Sequence, residues 1–180
     1  MKRPALLATM ASVVIFGGAF AWIVDHRGGS GALHAGRAQL AVEWRGKFRG
    51  RMVLPARVNW CPVTRVAVLE AVSGDSGVAI VLYEQNALTA GTHPVFTPEA
   101  AAAAPRPSAT AAMRWMRLER DTALAGFRAV SGSAQIGLVP GKASGQLDAR
   151  MRSVSGPDSV TVRAVFRDVP VVSTAIGCGS

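Results

Sequence analysis

The sequence is poor in the residues from which catalytic and metal sites are built. Its 180 residues include three histidines and two cysteines. His26 and His34 lie among glycines, where no framework holds a ring in catalytic geometry, and His93, beside Pro94 at a strand start, reads as an exposed turn residue. Two distant cysteines and three scattered histidines make no ligand set, so neither a metal nor a cofactor is expected. No Gly-x-Ser-x-Gly elbow occurs. No repeat of fixed period is visible, which argues against a propeller or a solenoid. Lysine is limited to Lys2, Lys47 and Lys142, and arginine carries almost all of the positive charge.

Acidic residues are also few, 11 against 20 basic ones, for a net charge of +9. An arginine- and alanine-rich composition is what a GC-rich genome produces, so the charge is not read as a nucleic-acid signature. It supports only non-specific attraction to anions. With 49% hydrophobic residues the chain has enough apolar material for a core.

Charge is missing altogether from Ala5 to Val24, directly after Lys2 and Arg3. A basic start, an apolar run and the small pair Ala19-x-Ala21 fit an export signal cleaved after Ala21. Left uncleaved, residues 5–24 are long enough to anchor the chain in a bilayer with the N-terminus in the cytoplasm. No cysteine near residue 20 supplies a lipoprotein anchor. Both readings put the rest of the chain outside the cytoplasm: periplasmic, secreted or tethered to the inner membrane. Cys61 and Cys178, the only thiols, are then expected to form a disulfide in an oxidising compartment.

The organisation follows as residues 1–24 signal or anchor, 25–37 Gly-rich linker, and 38–180 one domain. From Ala38 onward the hydrophobic period is two. Leu40, Val42 and Trp44 alternate with polar or small residues. Thr64–Val72 and Val78–Tyr83 flank Ser73-Gly74-Asp75-Ser76-Gly77, the strongest hairpin signal, and their near-continuous apolar character predicts strands covered on both faces. Gly74–Gly77 shares four residues with the nucleophile loop of chymotrypsin-like proteases, but one small domain cannot build their two barrels. Thr97–Ala112, with consecutive alanines and three prolines, reads as a surface excursion, and Ala112–Arg120 as a strand. Leu124–Val130 and Ala134–Val139 read as two strands with Ser131-Gly132-Ser133 between them. Ala143–Met151 and Val160–Phe166 alternate cleanly about Gly156-Pro157-Asp158. About nine or ten short strands predict an all-β fold, a single β-sandwich or partly closed barrel.

The run from Ser144 to Met151, the turn, and Val160 to Val171 with its Phe166-x-x-Val169-Pro170 ending resemble the closing hairpin of exported bacterial β-sandwich proteins of the envelope. The resemblance covers about 30 residues. It implies an all-β envelope protein and brings no activity with it. This chain departs from the lipoprotein members in lacking the acylation cysteine.

Two features remain. Glu70 stands in an apolar run and needs an ion-pair partner such as Arg65 or Arg114. In Trp44–Met52, an extended segment places Trp44, Phe48 and Met52 on one face and Arg45, Lys47, Arg49 and Arg51 on the other. Four like charges in a row suit an anionic partner, such as acidic lipid headgroups, lipopolysaccharide, acidic polysaccharide or an acidic protein patch, or the defence of an edge strand. The expected function is non-enzymatic binding or scaffolding in the envelope. The alternative is a small-ligand carrier or hydrolase with an apolar inter-sheet pocket near Trp60, Tyr83 or Trp115, with Glu70 or His93 at its rim.

Overall fold

Nine strands and one short helix follow one another along a computed structural model that describes residues 38–117, 123–173 and 178. The expected signal or anchor and the linker lie outside the described residues, as do Ala19 and Ala21. The strands are β1 (Gln39–Gly46), β2 (Gly50–Cys61), β3 (Val66–Ser73), β4 (Ser76–Tyr83), β5 (Gly91–Val95), β6 (Ser108–Arg117), β7 (Ala123–Val139), β8 (Lys142–Ser153) and β9 (Ser159–Ser173), with helix α1 (Pro98–Ala103) between β5 and β6. Among the described residues no helix is long and apolar enough to cross a membrane.

All nine strands belong to one mostly antiparallel sheet. Its order runs β1, β2, β3, β4, β6, then β7, β8 and β9, with β5 inserted between β6 and β7. β9 pairs back onto β1, from Gln39↔Arg167 to Gly46↔Val160. Beyond the first residue of β1, β2 and the tail of β9 meet directly in a parallel pairing, Val58↔Val171 to Trp60↔Ser173. That contact carries the chain to the disulfide: Cys61 and Cys178 are bonded, with Cα atoms 5.4 Å apart across a sequence separation of 117. The expected bridge is present, and it is compatible with an extracytoplasmic location.

The two-residue period explains the core. Leu40, Val42 and Trp44 on β1, Ala67, Leu69 and Ala71 on β3, Val78, Ile80 and Leu82 on β4, and Val160, Val162, Ala164 and Phe166 on β9 all turn inward into one buried cluster. The covering of β3 and β4 on both faces is not seen. Their outward residues Val66, Val68, Ala79 and Val81 are half-buried and Val72 is exposed. Alternation alone was the better guide there, because a run rich in valine and alanine masks which face is covered.

Two further stretches differ from the expectation. The alanines after Pro98 do form a helix, capped by the Thr97 Oγ1 atom accepting from the Ala100 N–H at 3.3 Å, and β6 begins at Ser108. Ser131-Gly132-Ser133 does not separate two strands: β7 runs through it. The pairings Ala129↔Met151 and Ser131↔Arg150 leave Val130 as an extra residue in a bulge, so the buried set shifts from Phe127 and Ala129 to Ala134 and Ile136. A second bulge on β9, at Asp168 (φ 51°), shifts it from Phe166 to Val169; the Asp168 N–H donates to Ser144 Oγ at 2.9 Å. The 73–77 hairpin is as expected, with Ser73↔Ser76 closing on Gly74 (φ 55°) and Asp75.

Candidate functional site

The segment expected to carry a basic stripe is a hairpin, not one extended strand. Glu43 pairs with Arg51 and Trp44 with Gly50, so the chain reverses over residues 47–49. The reason is steric. The Trp44 indole lies directly over Gly50, where a Cβ would overlap it, and glycine lets the returning strand pass. Trp44 is buried, 4.6 Å centroid to centroid from Trp115, which stacks on Phe127 at 5.0 Å. The core around Trp115 is therefore filled by aromatic packing. Phe48 and Met52 pack at its margin.

The four basic residues are all exposed but do not behave alike. Lys47 pairs with Asp158 of the β8–β9 turn at 3.1 Å. Arg51 lies opposite Glu43, which lies opposite Arg163, which lies opposite Asp148; the last two side chains approach to 3.7 Å. This outer row alternates in sign across four strands. One step nearer the hairpin end the pattern changes. Arg45 lies opposite Thr161, and Thr161 opposite Arg150. Arg152 follows on the same face of β8, opposite Arg128. Arg128 reaches Glu99 at 3.5 Å. Arg45, Arg49, Arg150 and Arg152 have no carboxylate partner among the described residues. Arg150 and Arg152 border a hollow of about 180 Å³ that also includes Ser131 and Ser159, beside the Val130 bulge.

The opposite end, formed by the β2–β3 turn and the segment after β4, carries a wider hollow of about 660 Å³ lined by Val63, Thr64, Arg65, Gln85, Asn86 and Arg106. Arg106 is held by main-chain oxygens: its Nη1 donates to the Glu84 carbonyl at 2.8 Å and approaches the Thr64 carbonyl at 3.4 Å. Its guanidinium sits 5.9 Å from the Tyr83 ring centroid, and Gln85 Nε2 donates to its carbonyl at 2.9 Å.

Beneath that end lies a polar pair that the sequence reading missed. Glu84 and His93 are each 1% exposed, and His93 Nε2 is 2.8 Å from Glu84 Oε1. Thr89 completes the carboxylate's partners, its N–H donating to Oε1 at 3.2 Å and its hydroxyl to Oε2 at 3.0 Å. His93 is thus not an exposed turn residue. It alternates with Val95 on the inward face of β5, and Pro94 takes the outward position. Its Nδ1 has no hydrogen-bond partner among the described residues. A signal for Glu84 was available: Val78, Ile80, Leu82 and Glu84 share one parity. Glu70, by contrast, faces outward and pairs with Arg57, not with Arg65 or Arg114, at 2.8 Å across the β2–β3 register.

No family model, curated protein or solved structure matches this chain.

Proposed function

We propose that the chain is an exported, non-enzymatic β domain of the bacterial envelope, a partly closed barrel whose arginine-bearing flank associates with a phosphate-rich lipid surface. The observation that carries this reading is the change of charge pattern on the outer face. One row alternates Arg51, Glu43, Arg163 and Asp148, as a solvated sheet surface does. The neighbouring flank holds Arg45, Arg150 and Arg152, and Arg49 lies in the adjoining β1–β2 turn; none of the four has a carboxylate partner among the described residues. Arg150 and Arg152 share one face of β8, and Arg45 faces Arg150 across Thr161 of β9; like charges so gathered repel, so folding gains nothing from that flank, whereas an anionic surface relieves the repulsion. The disulfide, the basic start followed by an uncharged run in residues 1–24, and the resemblance of the closing hairpin to envelope β-sandwich proteins support the compartment.

Sedimentation with phosphatidylglycerol-containing and pure phosphatidylcholine vesicles tests it. Binding is expected only to the anionic vesicles and is expected to fall with added salt. Charge reversal at Arg45, Arg49, Arg150 and Arg152 should abolish it, at about 1 kcal/mol per residue. A wild-type domain indifferent to phosphatidylglycerol content sinks the proposal.

A further inference from the structure

We infer that the hollow between the β2–β3 turn and the segment after β4 is a binding site for a small molecule bearing a phosphate or carboxylate group, separate from the arginine flank at the other end of the sheet.

The hollow is lined by donors. Arg65 and Arg106 supply two guanidinium groups, Asn86 an amide and Thr64 a hydroxyl, and no carboxylate lines it among the described residues. The charge on Arg106 is not spent inside the protein. Its partners are two neutral carbonyls and the face of Tyr83, which fix the guanidinium without neutralising it. Anchoring through backbone oxygens is how a fold holds an arginine ready for an external oxyanion, because the fork geometry is ordered before the ligand arrives.

Arg106 touches the backbone of an acidic residue whose side chain could have neutralised it. Glu84 contributes its carbonyl to Arg106, but its carboxylate points the other way, committed to His93 and to both Thr89 donors in the buried interior. The buried pair therefore does two things at once: it fixes the chain after β4, and it holds the Glu84 carboxylate away from the hollow.

Arg65 adds an independent sign. It adopts φ 59°, a left-handed conformation that disfavours a side chain with a Cβ, and it is exposed with no side-chain partner among the described residues. Its carbonyl accepts from the Glu84 N–H at 2.9 Å, so the turn geometry is needed, but glycine would serve it better than arginine. Stability does not account for an arginine there, and anion binding does. The turn is also tethered at its start, where the Thr64 N–H meets Cys61 Sγ at 3.5 Å within the disulfide.

Calorimetric titration of the oxidised domain at low ionic strength with inorganic phosphate, and separately with D-glucuronate, tests the site and tells the two anion sources apart. At least one probe should bind. Arg65→Gln and Arg106→Gln should each weaken it about tenfold. Arg65→Gly should weaken it equally while its thermal midpoint stays at or above that of the wild type, which separates loss of ligand contact from loss of fold. The Arg150→Gln/Arg152→Gln variant should bind as the wild type does. The inference is overturned if neither probe binds, if Arg65→Gly retains wild-type affinity, or if the Arg150/Arg152 variant loses affinity as much as the Arg65 variants do.

Discussion

His93 Nε2 and Glu84 Oε1 lie 2.8 Å apart with both side chains sealed from solvent, joining the inward face of β5 to the residue that follows β4. A carboxylate among apolar side chains is tolerated only when its oxygens are satisfied, and here three donors from two residues do so. Removing one partner should therefore be worse than removing both. Glu84→Ala is expected to lower unfolding stability by about 3 kcal/mol, because His93 and Thr89 are left buried without an acceptor. Glu84→Leu combined with His93→Leu should recover part of that loss. Urea unfolding of Glu84→Leu, of His93→Leu and of the double variant measures the coupling, and strictly additive effects would contradict the pairing.

The Arg57–Glu70 pair makes the opposite case. Its distance is equally short, 2.8 Å, but its side chains are 68% and 39% exposed. Water screens both charges and competes for both hydrogen-bonding groups. Glu70→Gln is accordingly expected to change stability by less than about 1 kcal/mol in the same urea assay. A loss as large as that of Glu84→Ala would mean that burial is not what distinguishes the two acids.

Close packing at the first hairpin gives a steric prediction. The Trp44 indole occupies the space where a side chain on residue 50 would begin. Trp44 in turn is wedged against Trp115 and cannot retreat without disturbing Phe127. Gly50→Ala should then destabilise the domain by about 1–3 kcal/mol through overpacking, and near-ultraviolet circular dichroism should report the displaced indole. A silent substitution would show that the hairpin relaxes freely.

Strand identity was legible because one covered face imposes a period of two, and the hairpins at Gly74-Asp75 and Gly156-Pro157-Asp158 were legible because turn residues mark them. The bulges at Val130 and Asp168 were not. A bulge is defined by the partner strand's count of residues, and Ser131-Gly132-Ser133 carries the same residue types as a turn. The hairpin at residues 47–49 was hidden by its own charges: alternating arginine and lysine mimic an extended strand, although Gly46 and Gly50 bracket the reversal. Glu84 followed the parity of Val78, Ile80 and Leu82, yet a carboxylate at an inward position is easily assigned to a loop. The hollow at Arg65 and Arg106 joins residues 41 positions apart through Glu84 backbone contacts, and nothing in the local sequence pairs them.

The last prediction concerns the disulfide, whose two ends reach each other only because β9 outruns β1 and pairs with β2. That parallel pairing involves three residue pairs, at the margin of the sheet rather than in its centre. A covalent tie across so long a loop restricts the unfolded chain strongly, and the chain-entropy estimate for a loop of this order is about 4–5 kcal/mol, of which about 2–5 is usually realised. Cys61→Ala/Cys178→Ala is therefore expected to lower the unfolding free energy by about 2–5 kcal/mol. The loss should show first as increased amide hydrogen exchange at Val171, Val172 and Ser173, while the β8–β9 hairpin around Met151 and Val160, held by ladder bonds and buried side chains, stays protected. Equal loss of protection at both places would mean that the domain opens as a single unit and that the bridge does not act locally on the strand end it fastens.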